Sequence, residues 1–200
     1  METPNTPNLS DQKSKKMRAR LMDATLDVIV KSGWAGATTP KICQSASVSR
    51  GAQTHHFPTK SALFLSAIER VTAAYEIQLI EQVNALDADQ RSLRAVLSIF
   101  WETFIDDRFL HSSVEAIVAA RTDPDLRKTV LDLDIKAIAT MRSLAAYIID
   151  SSASLDQLQD VLELSLYYFR GTALQRGVHS DEQYRQRLFE MWCDMAERSL

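Results

Sequence analysis

From Thr38 to Lys60 the chain reads TTPKICQSASVSRGAQTHHFPTK and signals three helix starts in close succession. Thr39 is a predicted N-cap. Pro40 suits the first helical position, where its missing N–H costs nothing. Ile42 and Ala46 stand four apart and give a small apolar face. Ser47-Val48 makes a short break, and Ser49 offers a fresh cap for a second helix over Arg50 to His56. Phe57-Pro58 closes that helix, and Thr59 can cap the next. Two short helices joined by so tight a turn form a helix-turn-helix, a unit whose second helix enters the DNA major groove.

The rest of the chain also reads as helix. Residues 1–12 are polar with two prolines and are expected to be a disordered arm. A first helix is expected from Lys13 to Ser32, with Leu21, Ala24, Val28 and Ile29 facing the short helices and Gly33 ending it. A long helix follows from Thr59 to about Leu86, with Leu63, Ala67, Val71 and Ala74 along one stripe. From Ser92 the apolar residues Leu93, Val96, Leu97, Phe100, Trp101, Phe104 and Ile105 form a broad face. After an Asp-Asp-Arg break a helix is expected over Phe109–Arg121. Asp123 caps and Pro124 begins another, running to about Asp150. Leu155–Gly177 is apolar on more than one side, the mark of a helix buried around most of its girth. Ser180 or Asp181 caps a last helix carrying Tyr184, Leu188, Met191, Trp192 and Met195. The expected fold is all-α with about nine helices: an N-terminal three-helix unit (13–60) with the helix-turn-helix, then a larger helical domain (61–200).

Composition agrees: 46% of the 200 residues are hydrophobic, with only five glycines and five prolines. The net charge of −3 argues against nucleic acid until it is mapped. Residues 1–60 hold nine basic side chains (Lys13, Lys15, Lys16, Arg18, Arg20, Lys31, Lys41, Arg50, Lys60) against four acids (Glu2, Asp11, Asp23, Asp27). The acidic surplus therefore lies wholly beyond Lys60, and a basic N-terminal part on an acidic body is an electrostatic footprint for DNA. Cys43 and Cys193 have no metal-ligand spacing, and Cys43 reads as a small core residue. No stretch approaches a membrane span and no signal-peptide core is present, so a cytoplasmic protein is expected.

Thr38-Thr39, Ile42, Ala46, Val48-Ser49, Gly51-Ala52, His55-His56-Phe57 and Lys60 together resemble the DNA-binding region of TetR/AcrR-type transcriptional regulators. The likeness covers the first third of the chain. It implies a homodimeric regulator, usually a repressor, on a near-palindromic double-stranded operator. The residues expected at DNA are Lys16, Thr39, Ser49, Arg50, Gly51, Gln53, Thr54, His55 and Lys60. Arg50 can pair with guanine or clamp a phosphate, and Gln53 can read adenine. Ser49 aims backbone N–H groups at a phosphate, Gly51 lets the backbone come close, and Lys60 is placed for a phosphate. His55 and His56 diverge by about 100° on a helix, so they do not chelate a metal. Four positions depart from the pattern. Cys43 replaces Ala, Gln53-Thr54 replace Leu-Tyr, and Ser47 stands at a turn position usually held by Gly, where φ > 0 would cost Ser roughly 1 kcal/mol.

The resemblance also places a small-molecule effector in the C-terminal domain. A pocket using Phe100, Trp101, Phe104, Met141 and Tyr147 would suit an apolar or aromatic ligand. The last two helices would form a four-helix dimer interface through Leu158, Leu162, Phe169, Leu188, Trp192 and Met195. An alternative is a dimeric DNA-binding regulator without small-molecule control, acting through a protein partner. An enzyme is not expected: there is no Gly-rich phosphate loop, nucleophile elbow or metal spacing, and His111 and His179 stand alone. Neither metal nor cofactor is expected.

Overall fold

The computed structural model describes residues 9–104, 107–148, 152–176, 178 and 181–200. Every regular element among them is helical, as the sequence leads one to expect. In order they are α1 (Leu9–Gly36), α2 (Thr39–Ala46), α3 (Arg50–His56), α4 (Lys60–Asn84), a 3-10 turn (Ala88–Gln90), α5 (Leu93–Phe104), α6 (Asp107–Ala120), α7 (Pro124–Ala145), α8 (Leu155–Arg176) and α9 (Glu182–Arg198). The chain divides into two compact units, one through Ile68 and one from Glu69. The division falls within α4, past Lys60.

In the first unit α1 begins at Leu9 rather than Lys13, so residues 9–12 of the expected arm are helical, with Asp11 in the favourable first turn. Residues 1–8 of that arm lie outside the described residues. Gly33 (φ 65°, ψ 171°) breaks the helical geometry as expected, but a further turn carries the helix to Gly36. The core is built from Leu21, Ala24, Leu26 and Ile29 of α1, Ile42 and Ala46 of α2, Phe57, and Leu63, Phe64 and Ala67 at the start of α4. Trp34 packs on Phe64, with ring centroids 5.0 Å apart.

The α2–α3 turn shows why the two short helices stop and restart. The Val48 N–H donates to the Cys43 carbonyl at 2.9 Å and the Ser47 N–H to the Gln44 carbonyl at 3.1 Å. This is a Schellman closure, and it puts Ser47 in the left-handed region at φ 52°, ψ 48°. The strain suspected from the sequence at Ser47 is present. The N-cap of α2 is Thr38, one residue earlier than expected, with Thr39 and Pro40 inside the first turn. Ser49 caps α3, its hydroxyl accepting from the Ala52 N–H at 3.2 Å. Thr59 caps α4 in the same way through Ala62 at 3.0 Å.

The second unit packs α5, α8 and α9 around an aromatic core. Phe100 meets Phe169 edge-on at 5.0 Å, and Trp101 lies 5.2 Å from Phe169 and stacks on Phe189 at 5.1 Å. Asp123 caps α7 by accepting from the Asp125 and Leu126 N–H groups. Ser154 and Gln157 form a reciprocal capping box at the start of α8. Helix α6 begins at Asp107, two residues before the expected Phe109. Helix α7 ends at Ala145, short of the expected Asp150, and the Tyr147 and Ile148 N–H groups beyond it bond three residues back, to Leu144 and Ala145. A single guanidinium joins α5 to α9: Arg94 binds Glu190 at 2.9 Å, Asp194 at 2.5 Å and Glu197 at 2.7 Å. Both thiols are buried. Burial pushes Cys193 up to about 11 and raises Cys43 as well.

Candidate nucleic-acid interface

Helix α3 is two turns long, so each residue's direction is fixed by the few contacts that hold the helix. Phe57 is buried at its C-terminal end. The opposite face carries Arg50, Gly51, Thr54 and His55, all exposed to solvent. A Cβ added at Gly51 would meet nothing within 4 Å, so the open space there belongs to whatever approaches from outside. The Thr54 hydroxyl donates to the Arg50 carbonyl at 3.0 Å, a local bond that solvent or a phosphate can replace. Ser49 is exposed next to this face, and Lys16 of α1 is exposed as well. Thr39 is half-buried in the first turn of α2.

Two expected DNA contacts point elsewhere. Gln53 is only 3% exposed, and its amide Nε2 donates to the Phe57 carbonyl at 2.6 Å. The register of α3 turns Gln53 inward, against the sequence expectation, and leaves Ala52 half-buried. Gln53 therefore fastens the end of the helix and does not present its amide to a base. Lys60 is also held inside its unit. Its ammonium donates to the Trp34 carbonyl at 2.9 Å and lies 3.7 Å from the centre of the Trp34 ring. The first turn of α4 is thereby tied to the end of α1.

Two arginines of α1 do work that the sequence did not reveal, because only the folded chain brings them to the helix ends. Arg20 donates to the Ala46 carbonyl at 2.6 Å and the Ser47 carbonyl at 3.4 Å, closing the end of α2. Arg18 donates to the His56 carbonyl at 3.0 Å, and its guanidinium sits 4.2 Å from the Phe57 ring centre. His55 and His56 meet edge-on at 5.2 Å. Burial, then the neighbouring His55 and Arg18 charges, hold His56 below its ordinary value.

The residues expected in an effector pocket divide. Phe100, Trp101 and Met141 are buried within the aromatic core. All three pack against the other buried side chains of that cluster. Tyr147 is half-buried, with the Arg91 guanidinium 5.6 Å from its ring. The side chain of Phe104 lies outside the described residues. An open groove of about 490 Å³ runs between α8 and α9, past Tyr167, Tyr168, Thr172, Gln175, Tyr184 and Leu188.

The dimer expectation is corrected in the same way. Leu158, Leu162 and Phe169 are buried in the protomer's own core, Phe169 to 1% exposure. Leu188 and Trp192 are half-buried, and the Trp192 indole N–H donates to the Ser165 hydroxyl at 2.9 Å. Of the expected set only Met195 is openly exposed, at 56%. Leu164, Tyr167 and Leu174 on α8 and Tyr184 and Met191 on α9 are exposed with it. The apolar face available to a partner thus lies on another side of α8 from the one the sequence favoured.

Residues 21–67 match the family described as bacterial regulatory proteins, tetR family. The HTH-type transcriptional regulator CymR of Pseudomonas putida is 30% identical over 182 residues, covering 88% of this chain and 87% of that one. A transcriptional regulator from Rhodococcus sp. Rha1 superposes with a TM-score of 0.71 at 24% identity, over 91% of this chain and 96% of its own. The transcriptional regulator FadR of Bacillus subtilis, solved in complex with stearoyl-CoA, superposes at 0.68 with 13% identity, over 91% and 98%. At those identities the two structures speak to the fold. Among the described residues no helix is long and apolar enough to cross a membrane.

Proposed function

The chain belongs to the tetR family of bacterial regulatory proteins and is a DNA-binding transcriptional regulator; from that premise we propose that it acts as a homodimeric repressor whose hold on its operator is set by a small molecule. The observation that carries the DNA half is the face of α3. Arg50, Gly51, Thr54 and His55 are all turned to solvent on a helix whose inward side is fastened by Gln53, Phe57 and Arg18. Arg50 is the base or phosphate contact. Ser49, Thr54, His55 and Lys16 supply the remaining polar contacts, and Gly51 admits the DNA backbone. Two copies would place their α3 helices in successive major grooves about 34 Å apart on a near-palindromic site.

Support for a homodimer comes from the exposed apolar stripes on α8 and α9. Side chains such as Tyr167, Met191 and Met195 are an unusual charge on solubility unless a partner covers them. Support for an effector comes from the ligand-bound FadR of the same fold. In this chain the effector would enter the second unit beside Phe100, Trp101, Met141 and Tyr147. Binding would favour a different packing of that unit, and the switch can be no larger than the ligand's difference in affinity between the two packings.

The test is binding to DNA from upstream of the protein's own gene at two salt concentrations, with Arg50→Ala alongside. Saturable, salt-sensitive binding that Arg50→Ala weakens by about 1–3 kcal/mol is the expected result. Binding no tighter than to random DNA and indifferent to Arg50 would refute the reading. Titrating apolar and aromatic compounds into the complex then tests the switch; failure of every class to change affinity would leave a regulator controlled by dimer geometry or a protein partner.

A further inference from the structure

Arg18 is one of the basic side chains of the N-terminal part, and its contacts are with the protein itself. Helix α3 has seven residues and ends at His56, so its last carbonyls have no helical partners of their own. Two side chains close that end. Gln53 takes the Phe57 carbonyl from within α3, and Arg18 reaches across from α1 to take the His56 carbonyl at 3.0 Å while covering the Phe57 ring at 4.2 Å. A cation at a helix C-terminus is also favoured by the helix dipole. Arg20 does the same for α2 through the Ala46 carbonyl. Two side chains of α1 thus grip the C-terminal ends of both helices of the helix-turn-helix.

We propose that Arg18 is a positioning residue for sequence-specific DNA recognition, setting the pose of α3 through the His56 carbonyl and the Phe57 ring without itself contacting phosphate. The proposal rests on α3 being the DNA-reading helix. A pose error in so short a helix moves Arg50 and Thr54 relative to base edges, so operator affinity falls. Affinity for random DNA, which depends on charge, does not. Lysine should not take over here, because Arg18 meets its two partners with different parts of a spread guanidinium, Nη1 on the His56 carbonyl and the central carbon over the Phe57 ring, whereas lysine has a single ammonium nitrogen to place. A phosphate contact, by contrast, would tolerate lysine.

Arg18→Lys and Arg18→Gln in the full chain separate these roles. Binding to operator and to random DNA is measured across a salt series, and the His56 ring is titrated by NMR. The expected result is that both variants lose operator affinity about tenfold or more, as for a lost hydrogen bond to a charged group. Arg18→Lys should keep wild-type affinity for random DNA and the wild-type salt slope, and in Arg18→Gln the His56 titration should move upward. If Arg18→Lys binds operator like wild type while Arg18→Gln loses about one unit of salt slope, Arg18 is a phosphate contact and the proposal fails. It fails equally if neither variant changes operator binding. Should a variant unfold, wild-type protein decides: the Arg18 guanidinium resonances must be motionally restricted in the free protein and unmoved by operator. If wild-type protein shows no operator preference at all, the DNA-reading role of α3 fails and the proposal fails with it.

Discussion

Replacing Ser47 with glycine should stabilise this protein. Ser47 is the residue other than glycine that takes a positive φ among the described residues, at 52°. It does so because the Schellman closure of α2 needs a left-handed residue between Ala46 and Val48. A Cβ in that conformation costs roughly 1–2 kcal/mol. Glycine removes the cost but adds freedom to the unfolded chain, offsetting about 0.4–1 kcal/mol. The Ser47 side chain is exposed, and its backbone groups make the turn's hydrogen bonds, so no side-chain contact is forfeited. The net gain is about 0.5–1 kcal/mol. In a unit of this size that corresponds to a few degrees in melting temperature. Thermal and urea unfolding of wild type, Ser47→Gly and Ser47→Ala would measure it. Alanine keeps the Cβ and drops the hydroxyl, so it should stay near wild type. If glycine were to lower stability, or alanine to match its gain, the left-handed strain would not be what limits this turn.

Four other outcomes follow from the same geometry. Gly51→Ala should raise stability by about 1 kcal/mol, since helix propensity improves and the new methyl meets nothing inside the protein; calorimetry should show the gain while operator binding weakens. Phe169→Ala should cost about 3–5 kcal/mol of folding stability, as for a large core truncation. Met195→Lys should leave the melt nearly unchanged and shift the protein to monomer in sedimentation, which separates core from interface. Because His56 is held below its ordinary value near 6.5, its contribution to stability is complete above that pH and declines as pH falls through it; melts from pH 7.5 to 5 should show the decline, and His56→Asn should flatten it.

The helix-turn-helix was legible because its punctuation is local. Ser49, Pro40 and Thr59 act on the backbone within a few residues, so the starts of α3 and α4 can be placed from sequence alone. The inward turn of Gln53 could not. On a two-turn helix a polar residue and the alanine beside it compete for the core by one step of rotation. Gln53 wins by bonding the Phe57 carbonyl, a contact that exists only once the helix end is formed. The contact of Lys60 with Trp34 was hidden for a related reason, since Trp34 comes from a distant part of the sequence. On α8 the difficulty was an excess of apolar signal. Leu158, Leu162 and Phe169 form one stripe and Leu164, Tyr167 and Leu174 another, and periodicity does not say which stripe a protomer keeps for itself. The packing of Phe169 between Phe100 and Trp101 decides it.

The two buried thiols make the protein convenient for spectroscopy. Cys43 and Cys193 are shielded from solvent, and burial disfavours the thiolate of each, the form that maleimide and methanethiosulfonate reagents attack. Neither native cysteine needs to be removed before labelling. A cysteine introduced at exposed Ser45 on α2 would take a nitroxide selectively. In a paired assembly, dipolar spectroscopy would then read the separation of the two reading heads in solution, and follow it compound by compound as candidate effectors are added.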